Sequence, residues 1–194
     1  MRWIDHFTGF DGETTGVGKR ACLVEFACVH FVRGRKVASW STFLNPPSVD
    51  WEDEQVKEAL KVNGIRREQL KDAPTFKEIA PTLMDELGAA IWVAHNAPFD
   101  MRILEYEFQR LGAPMPWRPG LLVDTQALAM KLDGARPFTK GYKLLDVAAR
   151  LGVTPGGAHR AEVDATTCGE ILVALGPKLP VRARELAVYL GAAA

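Results

Sequence analysis

Two acidic residues one position apart, Asp11 and Glu13, close a short apolar run from Phe7 to Phe10, and a turn follows at Thr15-Gly16. Side chains on a strand alternate between faces, so both carboxylates of an extended run point the same way. Like charges held on one face repel each other unless a cation lies between them. Hard divalent ions such as Mg²⁺ take oxygen ligands of this kind, often shared with substrate phosphates. Asp-x-Glu is a common tripeptide, and a solvated acidic strand end is the competing account. The rest of the chain decides between the two.

At 194 residues the chain suits one domain, and its 47% hydrophobic and 25% charged content is that of an ordinary globular protein. The formal net charge is zero, so no global basic field exists to hold a long duplex, and any nucleic-acid contact has to be local and short. Cys22, Cys28 and Cys168 form no CxxC pair. Cys22 and Cys28 would lie ~20 Å apart along one strand, too far for a disulfide. Reduced cysteines without zinc spacing imply a cytoplasmic protein. No segment reaches transmembrane length, and Met1-Arg2-Trp3-Ile4-Asp5-His6 does not read as a signal peptide, so no membrane association is expected.

Gly16-Val17-Gly18-Lys19-Arg20 invites a phosphate-loop reading, but Glu13 stands where that pattern needs Gly, and Arg20 where it needs Ser or Thr. Ala21 to Val32 is apolar and rich in β-formers, Arg33-Gly34-Arg35-Lys36 makes a turn, and Val37 to Leu44 alternates again. Three strands therefore fall in the first 45 residues. Trp51 to Val62 and Thr75 to Leu87 have helical spacing, with Asn63-Gly64-Ile65 closing the first and Pro81 implying a kink or late start in the second. Ala89 to Ala94 reads as a buried parallel strand and delivers His95-Asn96-Ala97-Pro98-Phe99-Asp100, with Asp100 near the start of a helix running to about Leu111. Leu121 to Val123 is a second short strand, followed by a helix through Lys131 and a polar, basic loop from Asp133 to Lys143. Lys143 to Leu151, Ala161 to Leu175 and Arg182 to Leu190 read as helices.

Phe10-Asp11-Gly12-Glu13-Thr14-Thr15-Gly16, His95-Asn96-Ala97-Pro98-Phe99-Asp100 and His159-Arg160-Ala161-Glu162-Val163-Asp164-Ala165 occur in that order. Together they resemble the three motifs of the DEDDh (DnaQ-like) 3′–5′ exonucleases, a family that includes the epsilon subunit of bacterial DNA polymerase III. Val24-Glu25-Phe26-Ala27, Val62-Asn63-Gly64-Ile65, Tyr106-Glu107-Phe108 and Val123-Asp124-Thr125 are lesser landmarks of the same resemblance, which covers roughly Phe7 to Leu175. It implies a ribonuclease H-like α/β fold: a mixed five-stranded sheet with the first strand central and helices on both faces. It also implies that Asp11, Glu13, Asp100 and Asp164 hold two Mg²⁺ or Mn²⁺ ions, with His159 as the general base. One exonuclease domain accounts for residues 1–194, with a catalytic core at about 7–175 and a short helical tail at 176–194.

Other residues are candidates for substrate contact. Thr14, Thr15 and Gly16 offer backbone N–H groups to a 3′ nucleotide, and Phe99 offers a ring for base stacking, with core packing as its alternative role. His95 and Asn96 are expected to orient their turn. The basic loop with Arg136, Lys140 and Lys143 is available to follow a phosphate backbone. Gly9 and Gly12 depart from the bulkier β-formers of the family and are expected to weaken the first strand. Asn63 replaces a histidine of the epsilon subunit. No clamp-binding peptide is recognisable in the tail, so no stable polymerase docking is expected. The expected activity is 3′–5′ hydrolysis of single-stranded ends, DNA over RNA, releasing nucleoside 5′-monophosphates in proofreading or repair. An exoribonuclease of the same fold and a non-catalytic nucleic-acid-binding module are the alternatives.

Overall fold

The computed structural model describes residues 5–88, 91–115, 122–136, 139–157 and 160–179. Strand β1 (His6–Thr14) pairs antiparallel with β2 (Leu23–Val32), which pairs antiparallel with β3 (Arg35–Phe43). On its other side β1 pairs in parallel with β4 (Ile91–Ala94), and β4 pairs in parallel with β5 (Leu122–Asp124). The result is a mixed five-stranded sheet of order β3-β2-β1-β4-β5, with the first strand in the centre.

Helices cover both faces because the strands are apolar on both sides. On one face Phe7, Val29, Phe31, Val93 and Val123 pack against α5 (Thr125–Leu132), α6 (Leu144–Leu151) and α7 (Ala161–Leu175). On the other, Phe10, Phe26, Cys28, Trp92 and Ala94 pack against α3 (Phe76–Leu87) and α4 (Ala97–Arg110). A satellite cluster forms where α1 (Glu54–Asn63) and α2 (Arg67–Leu70) bring Leu60, Ile65 and Leu70 onto Val24.

Several boundaries differ from the sequence reading, each for a local reason. α1 starts at Glu54 rather than Trp51, because the Asp53 side chain caps it by accepting the Gln55 N–H at 2.8 Å. Trp51 stays outside and packs in the satellite cluster, with the Arg67 guanidinium 5.5 Å from its ring centroid. α2 is a single turn, too short to show a period in the sequence. α3 runs from Phe76 through Pro81, so the proline does not delay its start. Its first turn is held by a capping box, in which Thr75 N–H donates to the Glu78 carboxylate at 2.7 Å. The expected strand residues Ala89 and Ala90, and the helix expected at Arg182 to Leu190, lie outside the described residues.

Gly9 reverses a sequence expectation. A Cβ there would sit 2.6 Å from the Ala165 carbonyl oxygen, which belongs to the α7 backbone. Gly169, one helical turn further, has no room for a Cβ against the Phe31 ring. The two glycines let α7 lie directly on the central strands, and the stacked Phe7 and Phe31 rings (centroids 4.8 Å apart) pack beside them. The low β-propensity of Gly9 is therefore outweighed by the close approach it permits. Gly9→Ala should destabilise the protein by about 1–3 kcal/mol in urea unfolding, the usual cost of overpacking a tight core. Since Ala165 adjoins Asp164, the same variant should also weaken divalent-cation binding, measured by calorimetry.

Candidate active site

β1 carries Phe7, Gly9, Asp11 and Glu13 on one face by strict alternation, and α7 covers that face. α7 presents Asp164 in its first turns, where its N–H donates to the Arg160 carbonyl at 3.0 Å. One carboxylate oxygen from each of Asp11, Glu13 and Asp164 lies within 4.8 Å of the others. Asp100 joins from the neighbouring strand end. β4 stops at Ala94, Asn96 takes a left-handed conformation (φ 62°) as N-cap, and Pro98 sits in the first turn of α4. The buried Asp100 side chain accepts the Gly12 N–H at 3.2 Å. Gly12 lies between the two β1 acids, so this bond ties the second motif to the first.

Crowding buried carboxylates raises their proton affinity. Burial is the largest cause that lifts Asp11 well above the usual carboxylate range, and the charges of Asp100, Glu13, Asp164 and Glu25 add to it. Glu13 is pushed up to about 7 by burial and then by Asp164 and Glu25, with Arg160 opposing. Asp100 is pushed up to about 8 by burial, against the Gly12 N–H that favours its charged form. An all-oxygen cluster with this much uncompensated charge has the donor chemistry of a hard divalent-cation site.

The surrounding turns are held by a second set of bonds. Asp124 caps α5 through the Gln126 N–H at 2.9 Å and also accepts the Asn96 N–H at 3.0 Å. His95 approaches the Thr125 hydroxyl through Nδ1 at 2.9 Å and the Tyr142 carbonyl through Nε2 at 2.8 Å. A carbonyl only accepts, so Nε2 carries the proton. Burial holds His95 below the ordinary imidazole range, opposed by the Tyr142 carbonyl and the Asp124 charge. Gln126 donates to the same carbonyl at 2.9 Å. His95 and Asn96 thus orient their turn, as expected, and His95 also tethers the exposed basic loop carrying Lys140 and Lys143. Asn63 donates to the Thr14 carbonyl at 3.0 Å, which supports the end of β1.

The candidate contact residues sit at the rim. Thr14 and Thr15 are buried and Gly16 is half-buried. The Thr15 N–H donates to the Cys22 carbonyl at 2.9 Å and the Gly16 N–H to the Thr14 hydroxyl at 3.4 Å. These two N–H groups, expected to be offered to a nucleotide, are instead taken up by the turn, which the Thr14 hydroxyl also holds by donating to the Gly16 carbonyl at 2.7 Å. Phe99 is half-buried against the α3–α4 side of the core. The three cysteines are free and buried. His159 lies outside the described residues. Sequence reasoning gave Glu25 no role beyond a landmark, yet Arg160 grips it through paired bonds of 2.9 and 3.1 Å. The signal was present: an acid inside the apolar run Ala21 to Val32 needs a counter-charge once that run is a central strand.

A family model described as Exonuclease (RNase_T) matches residues 8–172. The chain belongs to the DnaQ-like exonuclease family. It is 32% identical over 171 residues to the DNA polymerase III subunit epsilon of Treponema pallidum (strain Nichols), covering 87% of this chain and 75% of that protein. It is 31% identical over 170 residues to the PolC-type DNA polymerase III of Clostridium perfringens (strain 13 / Type A), spanning 87% of this chain but 11% of that protein. Exonuclease X, solved in complex with 5′ overhanging duplex DNA, shares the fold with a TM-score of 0.69 at 24% identity, covering 95% of this chain and 99% of that one. Among the described residues, no helix is long and apolar enough to cross a membrane.

The carboxylate shifts carry a pH consequence in the metal-free protein. Glu13 and Asp100 bind protons more tightly folded than unfolded, so their contribution to stability is complete below the ordinary values of 4.5 and 3.8. It is lost as pH rises through about 7 and about 8. In EDTA the melting temperature should therefore fall between pH 5 and 8 (roughly the window between unfolded and folded values), and Mn²⁺ at the upper end should restore it. Asp100→Asn keeps an oxygen for the Gly12 N–H and should flatten the fall in EDTA.

Proposed function

We propose that this chain is a 3′–5′ exonuclease acting on single-stranded nucleic-acid ends, DNA in preference to RNA, and releasing nucleoside 5′-monophosphates. The observation that carries the reading is the convergence of Asp11, Glu13 and Asp164 from strand and helix within 4.8 Å, with Asp100 tied to the strand between the first two. Four clustered, largely buried carboxylates, two on β1 and one each on α4 and α7, are costly to stability and have the donor chemistry of a divalent-cation site, which argues against a non-catalytic binding module. We assign the cluster to two Mg²⁺ or Mn²⁺ ions. Held there, such ions would supply an activated water and stabilise the charge that develops during phosphodiester hydrolysis.

The chain's own residues do the rest. Asp11, Glu13, Asp100 and Asp164 hold their ligand atoms in place through β1, α4 and α7. His159, in its neutral form, takes a proton from the attacking water. Thr14, Thr15 and Gly16 receive the terminal nucleotide on a rigid turn, and Phe99 presents a half-buried ring for a base. Arg136, Lys140 and Lys143 line an exposed loop for the phosphates behind it. Only a few nucleotides are covered in this arrangement, so binding falls gently with salt. The residues 7–175 form the catalytic core of one domain, and the proposed setting is the cytoplasm, in replication proofreading or repair.

Labelled DNA and RNA oligonucleotides incubated with Mg²⁺ or with EDTA test the reading. Mononucleotides should appear from the 3′ end only with the cation, and Asp11→Asn or Asp164→Asn should abolish them in a folded protein. Release that persists in EDTA sinks the proposal, and faster cleavage of RNA moves the substrate assignment to the exoribonuclease. His159→Ala should lose about 10²–10⁴-fold, the contribution of a general base, while retaining all four carboxylates. Raised pH or Mn²⁺ should recover His159→Ala far more than Asp164→Asn. A His159→Ala protein with the parent rate and pH profile removes the histidine from the mechanism.

A further inference from the structure

Glu25 is a buried carboxylate (3% exposed) directly across the β1–β2 ladder from Glu13. Residues paired across an antiparallel ladder share a face, so Glu25 borders the metal-type cluster while belonging to none of the three motifs. Its oxygens are already taken. Arg160 Nε donates at 3.1 and 3.2 Å to the two oxygens, Nη2 donates at 2.9 Å, and the Ala161 N–H donates at 3.3 Å. The Arg160 guanidinium also lies 5.2 Å from the centroid of the Phe43 ring on β3. Arg160 is the N-cap residue of α7 and makes no side-chain cap of its own. The cap comes instead from β2: Glu25 accepts an N–H of the first turn and places a negative charge where the helix dipole favours one. The Asp164 N–H then donates to the Arg160 carbonyl, so one bonded path runs from Glu25 through Arg160 to Asp164. His159 is the residue before Arg160.

We propose that Glu25 and Arg160 are positioning residues that set Asp164 against β1 and hold Glu25 back from the cations as a competing ligand. The inference rests on the reading of the site as a cation-dependent nuclease. Stability alone does not account for the pair, because the Arg160 side chain is 51% exposed, where an ion pair contributes little to stability. What an apolar pair cannot reproduce is the fixed fork of Arg160 on Glu25 together with the cap on α7. A carboxylate freed from Arg160 would face Glu13 across the ladder and be free to compete for a cation held there.

The test uses the full chain and the variants Arg160→Ala, Arg160→Lys and the double variant Glu25→Met/Arg160→Met. Mn²⁺ binding without nucleic acid is measured by calorimetry, together with the melting temperature and the pH profile of 3′-nucleotide release. Arg160→Ala should weaken Mn²⁺ binding and slow release by about 10–100-fold, the usual effect of removing a residue that orients a ligand. Arg160→Lys should recover part of the loss, since it restores the charge but not the two-pronged geometry. The methionine pair should melt near the parent temperature yet show the same deficits in affinity and rate. If Arg160→Ala fails to fold, the lysine and methionine variants decide. Parent Mn²⁺ affinity and an unchanged pH profile in the folded variants would overturn the proposal. A parent protein that binds Mn²⁺ but releases no nucleotide defeats the nuclease reading instead, and the Mn²⁺ titration still judges the pair.

Discussion

The structure is governed by repulsion among carboxylates that the fold refuses to separate. Asp11, Glu13 and Asp164 approach within 4.8 Å, and burial and mutual charge lift Asp11 and Glu13 out of the ordinary carboxylate range. A buried like-charge cluster is unfavourable by itself. It persists because the sheet and α7 hold the ligand-bearing backbone rigidly, and because a divalent cation turns the repulsion into attraction. The surrounding architecture supplies the means of keeping these groups together: the central place of β1, the glycine contacts beneath α7, and the Gly12 N–H on Asp100.

That rigidity comes from backbone contact more than from large side chains. α7 rests on β1 at Gly9 and on β2 at Gly169, with Ala161, Ala165 and Cys168 as its other small buried residues. Small residues bring the helix axis close to the sheet and leave little freedom to slide. The same face then continues from apolar (Phe7) through bare (Gly9) to acidic (Asp11, Glu13), so that the core and the site are successive stretches of one strand face.

Around this centre the turns are stabilised by polar groups that do no chemistry in the proposed reaction. Asp124 holds the starts of α4 and α5 at once, His95 and Gln126 share the Tyr142 carbonyl, and Asn63 supports Thr14. Each links segments distant in the chain. Their residue types are unremarkable in sequence, where an Asn at a helix end or a His before a helix has many innocent roles.

The sequence by itself determined the strand that carries Asp11 and Glu13, and the placement of Asp100 at a helix start and Asp164 in the first turns of the last described α-helix; the central place of that strand followed from the family resemblance. Period-2 alternation and helix-start chemistry are local, so they can be read from neighbours in the chain. The tertiary structure decided what depends on approach between distant segments. Gly9 reads as a weak strand residue until α7 is laid on it, and α3 tolerates Pro81 where propensity alone counsels a break. Glu25 reads as one acid in an apolar strand until Arg160, remote in the chain, closes on it. No local pattern encodes such a partner, because the energy of the contact exists only once the chain has brought both ends together.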